Sequence, residues 1–101
     1  MAVTLTVHAT KPSGAQFFQQ SSADNLALLQ SLNAWTKAQP GFVNQTSTDP
    51  TADTRTVVTV WDTVEHYASW LSARASRPEQ IARVSYNKAN GITSTSNETV
   101  S

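Results

Sequence analysis

The feature that most constrains this fold is a short segment with apolar side chains on both sides of a strand. Residues 54–61 are rich in β-branched types and follow a turn-rich stretch, which predicts a β-strand. Because side chains alternate between the two faces of a strand, Thr59 and Trp61 face one way while Val58 and Val60 face the other. A sheet built around this strand therefore needs cover on both faces.

Three other segments have the pattern of strands. Val3 to Thr10 alternates apolar with polar residues, which predicts a half-buried first strand. Phe42 to Thr48 is a weaker candidate, and the turn residues 49–53 join it to the segment 54–61 as an antiparallel pair. Ile92 to Val100 is too polar for a central strand, so we expect it at an edge of the sheet or against a partner.

A first helix is predicted between the first two strands, after a polar connector that holds two phenylalanines. Its buried stripe consists of apolar residues that recur at helical spacing, namely Leu28, Leu29, Leu32, Trp35 and Ala38. Ser21 and Asp24 stand before this stripe at the spacing of a capping box. The Pro-Gly pair at residues 40–41 ends the helix.

A second helix is predicted to be interrupted. Its buried stripe consists of Val64, Tyr67, Ala68 and Leu71, continued by Ile81 and Val84. Asp62 and Glu65 form a capping-box-like pair at its start, and Pro78 has the character of the first residue of a new helical segment. We therefore expect a break near Arg77 and an end before Gly91.

These elements predict an α+β fold of ferredoxin-like βαββαβ topology, as a single domain over residues 1–101. Two helices cover only one face of a four-stranded antiparallel sheet. Val58, Val60 and their neighbours would then form an apolar patch larger than monomers usually expose. Stacking two copies of the sheet face to face removes that patch, so we predict a homodimer.

The composition excludes several classes of function. Seven basic and seven acidic residues give a net charge of zero, so no summed positive field holds nucleic acid. Cysteine is absent, which removes disulfides, thiolate nucleophiles and cysteine-ligated metals. The start of the chain lacks the pattern of a targeting peptide, and no apolar run approaches the ~18 residues of a membrane span. We expect a soluble protein, cytoplasmic by default, without nucleic-acid or membrane partners.

The stretch from Val57 to Leu71, preceded by the Pro-Gly-Phe-Val turn at residues 40–43, resembles a known family. It is similar to the antibiotic biosynthesis monooxygenase-like proteins of the dimeric α+β barrel superfamily. In these families a Pro-Gly-Phe follows the first helix, a Trp closes the third strand, and a Ser/Thr with an acidic residue opens the second helix. The resemblance covers nearly the whole chain and implies the ferredoxin-like fold and a homodimer.

Trp61 and Tyr67 resemble a pair found in the cofactor-free anthrone oxygenases, where a strand-end Trp and a Tyr six residues later line the substrate pocket. Arg83 matches an Arg on the later part of the helix, and Val57 stands where those enzymes have a pocket Asn. The resemblance implies a reaction without cofactor on a planar aromatic or phenolic molecule. The substrate would lose a proton, and its carbanion or enolate would reduce oxygen directly, with Trp61 orienting it, Tyr67 stabilising it and Arg83 supplying charge.

A second branch, the haem-degrading monooxygenases, is similar to this chain around Thr59 and Trp70, where Trp70 matches a Trp that presses on the haem. The axial His of that branch lies about ten residues further on, and here residues 80–83 offer no nitrogen ligand for haem iron. We therefore predict no haem and no other cofactor.

The predicted site has six residues. The candidate catalytic residues are Trp61, Tyr67 and Arg83, and the candidate substrate-binding residues are Val57, Thr59 and Trp70. Each also has a structural interpretation. The first two aromatics fit a core, Trp70 fits helix-edge packing or a dimer contact, and Arg83 fits a surface pair with Glu79 at i, i+4.

Two alternatives to this site concern a metal ion and a different function. His8 and His66 with a carboxylate such as Glu65 formally allow a metal site, but adjacent residues diverge on a helix, so we predict no metal. The competing function is a non-catalytic dimeric module that binds a small molecule or serves as a structural part.

Overall fold

A computed structural model of residues 1–101 shows a four-stranded antiparallel sheet and four helices. In chain order the elements are β1 Val3–Thr10, α1 Phe18–Ser21, α2 Ala23–Lys37, β2 Phe42–Thr51, β3 Thr54–Trp61, α3 Val64–Ala75, α4 Pro78–Ala89 and β4 Thr93–Val100. The strand order is β2-β3-β1-β4, which places β4 at an edge beside β1. This confirms the ferredoxin-like α+β fold, with each helical connection divided in two. No helix is long and apolar enough to cross a membrane.

The register between β1 and β3 separates the sheet into two faces. Leu5 pairs with Thr59, and both are buried. The next pair, Thr6 and Val58, points to the opposite side because side chains alternate along a strand. We call the side with the odd-numbered residues of β1 and β3 the covered face, since the helices pack on it, and the other side the open face.

The open face is dominated by threonine. On β1, β3 and β4 it consists of Thr4, Thr6, His8, Thr10, Thr54, Thr56, Val58, Val60, Thr93, Thr95, Asn97 and Thr99. Val58 and Val60 are half-buried and are the only apolar residues in this set. The apolar patch is therefore smaller than the sequence predicted, because the neighbours of the two valines carry hydroxyl groups.

The core lies between the covered face and the helices. One cluster of buried residues consists of Val3, Leu5, Trp61, Tyr67 and Trp70, and a second consists of Phe18, Leu29 and Leu32. Trp61 has no exposed surface, and its ring centroid lies 4.8 Å from that of Trp70. Trp35 contacts both clusters and so joins them into one apolar layer. Large aromatic side chains supply most of the buried area in so small a core.

The N-caps of α2 and α3 lie one residue later than the predicted capping pairs. The hydroxyl of Ser22 caps α2 by accepting a bond from the amide of Asn25 at 3.1 Å. The hydroxyl of Thr63 caps α3 by accepting a bond from the amide of His66 at 3.1 Å. Asp62 instead binds the imidazole of His66, Oδ1 to Nδ1, at 2.7 Å. Serine and threonine hydroxyls satisfy amides that a helix start leaves without a partner.

The stripe that α3 buries differs from the predicted one. Val64 and Ala68 are exposed, whereas Trp70 is only 3% exposed. The side of α3 that faces the sheet runs from Tyr67 through Trp70 to Arg74, which are spaced by three and four residues. The helix is therefore rotated relative to the prediction, since its aromatic residues take the buried positions.

The second helical connection is broken at Arg77, as predicted. Arg77 has extended backbone angles and Pro78 is the first residue of α4, where its missing amide costs no hydrogen bond. Ile81 and Val84, predicted to be buried, are 56% and 54% exposed. The prediction was wrong because it continued the buried stripe of α3 into α4. The chain changes direction at the break, so a different side of α4 faces the core.

Gly41 joins α2 to β2 in a conformation that only glycine tolerates well. Its φ is +83°, and a Cβ at this position would collide with the side chains of Asp62 and His66. The carbonyl of Gly41 also accepts a bond from the amide of Asp62 at 2.9 Å. This contact holds the end of β3 against the start of β2.

Candidate functional site

A cavity of about 340 Å³ lies between the covered face and the helices. Its sheet side includes Leu5, Val57 and Thr59, and its helix side includes Phe18 and Leu32. The volume is near the lower end of the roughly 300–1,000 Å³ that small-molecule sites occupy. An apolar floor and roof of this kind suit a flat organic molecule.

The rest of the cavity wall is polar, and all of its charged residues are basic. Four basic side chains line it, one from each of four elements: Lys37 of α2, Arg55 of β3, Arg74 of α3 and Arg83 of α4. No aspartate, glutamate or histidine lines it. The chain has seven basic and seven acidic residues, so more than half of its cations and none of its anions face this one cavity. The zero net charge of the sequence conceals that separation.

Arg83 projects into the cavity without an acidic partner. Its Nη2 donates to Oε1 of Gln80 at 2.7 Å, and it forms no salt bridge. Burial, and after it the positive charges of Arg74 and Arg55, lower the pKa of Arg83 to about 10. The guanidinium therefore stays charged at neutral pH, and the protein does not neutralise that charge.

The alternative of a surface pair between Arg83 and Glu79 is wrong. Glu79 is buried and accepts a bond from Nη2 of Arg77 at 2.6 Å and from the hydroxyl of Ser31 at 3.2 Å. These contacts occupy the carboxylate on the side of α2. Arg83 is thus left free to face the cavity.

Arg74 and Trp70 form a fixed part of the cavity wall. The guanidinium carbon of Arg74 lies 4.8 Å from the centroid of the Trp70 ring, the arrangement of a cation–π contact. Burial lowers the pKa of Arg74. Nε1 of Trp70 donates to the buried hydroxyl of Thr36 at 3.1 Å, and its ring packs on Trp61. These contacts hold the Trp70 ring in one orientation.

Arg55 differs from Arg74 and Arg83 because a carboxylate lies near it. Its Nη1 lies 3.6 Å from Oδ1 of Asp49, a long contact with an exposed carboxylate. Such a pair contributes little and is readily rearranged. Arg55 therefore adds positive charge to the cavity that Asp49 offsets only in part.

Four of the six predicted site residues line the cavity, namely Val57, Thr59, Trp70 and Arg83. Trp61 and Tyr67 lie behind Trp70 in the core and do not contribute to the wall. The hydroxyl of Tyr67 is buried without a hydrogen-bond partner, and burial, with a smaller effect from Glu98, raises its pKa to about 12. Tyr67 is therefore a neutral hydrogen-bond donor at physiological pH and not a base.

The two histidines lie on different elements and bind different groups. Nδ1 of His8 lies 2.8 Å from the hydroxyl of Thr56 on the open face, whereas His66 binds Asp62 at the start of α3. Each imidazole thus has a partner within its own surroundings. Neither lines the cavity.

Sequence reasoning missed Arg55 and Arg74, although each obeys a periodicity that was already in use. Arg55 precedes Val57 by two positions, so strand alternation places it on the same face. Arg74 follows Trp70 by four positions, so helical spacing places it on the same side of α3. The signal was present, but charged residues were not considered as inward-facing members of an apolar pattern.

Comparisons with known proteins agree with this architecture. No protein-family model matches the chain, and no curated protein does. Among solved structures, SnoaB, a cofactor-independent oxygenase from Streptomyces nogalater, is 18% identical, with a TM-score of 0.66 over 99% of this chain and 92% of that chain. A candidate antibiotic biosynthesis monooxygenase from Deinococcus radiodurans is 12% identical, with a TM-score of 0.67 over 100% and 92% of the two chains.

A further candidate antibiotic biosynthesis monooxygenase, from Chloroflexus aurantiacus, is 20% identical, with a TM-score of 0.59 over 100% of this chain and 93% of that chain. At such identities the likeness shows the fold alone. The chain therefore has the fold of the antibiotic biosynthesis monooxygenase-like proteins, as its resemblance to them predicted.

Proposed function

We propose that this protein is a cofactor-independent, monooxygenase-like enzyme that acts on a planar aromatic or phenolic molecule in the cavity. The observation that carries the proposal is the cationic wall beside an apolar floor, with no acidic side chain to neutralise it. Such a wall favours the anion that a phenol or a carbon acid forms on losing a proton. The fold likeness to SnoaB, described as a cofactor-independent oxygenase, supports the same reaction class.

The first step is ionisation of the substrate. No carboxylate or imidazole lines the cavity to act as a base, so the proton passes to water. An opposite charge within a few ångströms lowers the pKa of an acid by roughly 1–3 units. Arg83 and Arg74 therefore act by making the substrate anion more stable, and a substrate that is already acidic at carbon or oxygen suits this site.

The second step is reduction of oxygen by the substrate anion. The electron-rich carbon forms a C–O bond with O2 and becomes a hydroperoxide, and loss of water from a former CH2 group leaves a carbonyl. One oxygen atom enters the product and the other enters water. The electrons come from the two C–H bonds of the substrate, so the balance requires no external reductant. Trp70 orients the ring, and Trp61 and Tyr67 act as positioning residues behind it.

Oxygen uptake by the chelator-treated protein with anthrone tests the proposal. We expect wild-type protein to exceed the protein-free rate, and Arg83→Gln to lower kcat by about 10²–10³-fold, the range for removal of one group that stabilises a developing anion. Lys88→Gln is the matched control, because it removes one positive charge from the exposed side of the same helix. Uptake no faster than the protein-free reaction would end the proposal.

A second candidate function is a non-catalytic module that binds an aromatic small molecule. The absence of any lining aspartate, glutamate or histidine favours it, since enzymes commonly use these groups for proton transfer. A ligand that binds in the cavity and dissociates unchanged under oxygen would support this function over the oxygenase.

We also propose that the protein works as a cytoplasmic homodimer joined through the open face. Val58 and Val60 lie in the middle of that face, and the surrounding threonines offer methyl groups as well as hydroxyls. Two sheets stacked face to face about 10 Å apart bury such side chains. The covered face and its cavity remain accessible to ligand from the helix side in this arrangement.

A further inference from the structure

We propose that the cavity selects ligands that carry a permanent negative charge: a flat aromatic body bearing a carboxylate-type group held by Arg55, Arg74 and Arg83. This inference names the substrate class of the proposed enzyme. The binding claim stands on the cavity itself, and only the claim that the bound acid is turned over rests on the proposed function.

The cavity leaves positive charge without an acidic partner. Arg74 and Arg83 form no salt bridge, and Arg55 has only the long contact with exposed Asp49. Bringing cations together in a partly buried site without acidic partners is unfavourable. A single enolate offsets only one of these charges, whereas an enolate or phenolate that also carries a carboxylate offsets two.

The same wall also supplies hydrogen-bond donors. Gln19 is one of the lining residues, and its Nε2 is buried without any partner. Each arginine offers five N–H groups in a planar fork that matches a carboxylate or phosphate, and Arg83 uses one nitrogen for Gln80. The arginines thus offer N–H groups that an oxyanion can accept from in pairs.

The cavity has an apolar part and a cationic part. Leu5, Val57 and Phe18 cover the surface that a ring system contacts, while the arginines converge from β3, α3 and α4. A bicyclic ring system with one oxyanion matches both parts. The volume of about 340 Å³ accommodates a ligand of that size.

Titration of the full-length protein with three matched probes tests the inference. The probes are 2-naphthoate, its neutral amide 2-naphthamide, and 2-naphthyl phosphate, followed by quenching of tryptophan fluorescence, since Trp70 lines the cavity. We expect 2-naphthoate to bind at least tenfold more tightly than 2-naphthamide. The phosphate probe shows whether the site prefers a carboxylate or accepts oxyanions in general, and either result supports the inference if the amide binds more weakly.

Two variants locate the preference. Arg74→Gln and Arg83→Gln should each reduce the preference for naphthoate over naphthamide by at least fivefold, whereas Lys88→Gln should retain it. Removing an uncompensated charge should also raise the melting temperature of ligand-free Arg83→Gln, whereas an arginine with a purely structural role would give a lower value.

Equal affinity of wild-type protein for naphthoate and naphthamide would overturn the inference, and that comparison requires no variant to fold. A preference that survives in both arginine variants would overturn the assignment to these residues. Tight binding of naphthoate without oxygen uptake on any anthrone would contradict the oxygenase and leave the anion site standing. Turnover of neutral anthrone, with equal affinity for naphthoate and naphthamide, would support the oxygenase and contradict the anion site.

Discussion

The two faces of the sheet are made by the same strands and have opposite chemistry. On the covered face, β1 and β3 contribute Leu5, Trp61 and the cavity-lining Arg55, packed beneath helices. On the open face, the same strands contribute mostly threonines around Val58 and Val60. Alternation along a strand therefore places the core and the cavity on one side of the sheet and a surface dominated by threonine on the other. Substitutions one residue apart on β3 should differ in kind as well as in size.

Truncation of Trp61 should have the largest effect. Trp61 is fully buried on the covered face, so Trp61→Ala should lower the free energy of unfolding by about 3–5 kcal/mol. Val58→Ala, three positions earlier on the open face, should cost about 1 kcal/mol, near the centre of the distribution for single substitutions. Urea unfolding of both variants provides the measurement. Equal losses would contradict the division between the faces.

A charge in the middle of the open face should disrupt association while sparing the fold. Val58→Lys should weaken the homodimer by about 100-fold in Kd, or roughly 2.7 kcal/mol, because a desolvated lysine has no acidic partner on this face. Light scattering at several concentrations measures the mass against the 10.9 kDa chain. Ser72→Lys on the exposed side of α3 is the control. Wild-type protein with the mass of one chain throughout would refute the homodimer.

Low pH should lower stability by weakening the ion pair between Glu79 and Arg77 in the helical layer. The hydrogen bond from Arg77 is the main cause that lowers the pKa of Glu79 below 4.5. A lowered pKa stabilises the fold above the unfolded value of 4.5, and that contribution is lost as the pH falls through the folded value. Glu79→Gln should cost about 2 kcal/mol at pH 7 and much less at pH 3. Urea midpoints at both pH values test this, with exposed Glu65→Gln as the control. A constant cost across this range would contradict the ion-pair explanation.

Tyr67 should give the smallest effect on stability but a distinct optical signature. Its pKa, raised from 10.0 to about 12, means that the folded state keeps the phenol proton while the unfolded state loses it. Wild-type protein should therefore lose stability between pH 10 and 12 relative to Tyr67→Phe. At neutral pH the variant should change stability by less than about 1 kcal/mol, because the hydroxyl has no hydrogen-bond partner. A pH titration of tyrosinate absorbance should show a step near pH 12 in wild-type protein and no such step in Tyr67→Phe. An identical titration in the variant would show that the step belongs to another group.

Much of the fold was predictable because strand alternation and turn chemistry act locally. The limits of β1 and β3 agree with the segments 3–10 and 54–61, and the break at Arg77 follows from the proline after it. Helix rotation was not predictable to the same degree. Which side of α4 packs depends on the angle at the break, a tertiary property, and so Ile81 was assigned to the core when it lies at the surface.

The site was predicted only in part for a related reason. Val57, Thr59, Trp70 and Arg83 do meet at the cavity. The resemblance implied Trp61 and Tyr67 as pocket residues, but in this chain Trp70 packs against both and lines the cavity in their place. The gathering of basic residues at the cavity also cannot be seen in the composition. Equal numbers of basic and acidic residues do not show which of them lie close together in the fold.

The break between α3 and α4 allows basic side chains of both helices to reach the same cavity. In one uninterrupted helix, residues nine positions apart point to opposite sides and are separated by about 13.5 Å along the axis. Arg74 and Arg83 have that separation in sequence, yet both reach the same cavity because the chain changes direction at Arg77. The break at Arg77 thus determines which residues of α4 face the cavity. An insertion or deletion of one residue at the break would change which side chains of α4 face the cavity, and with them its positive charge. The pairing of the strands would stay the same.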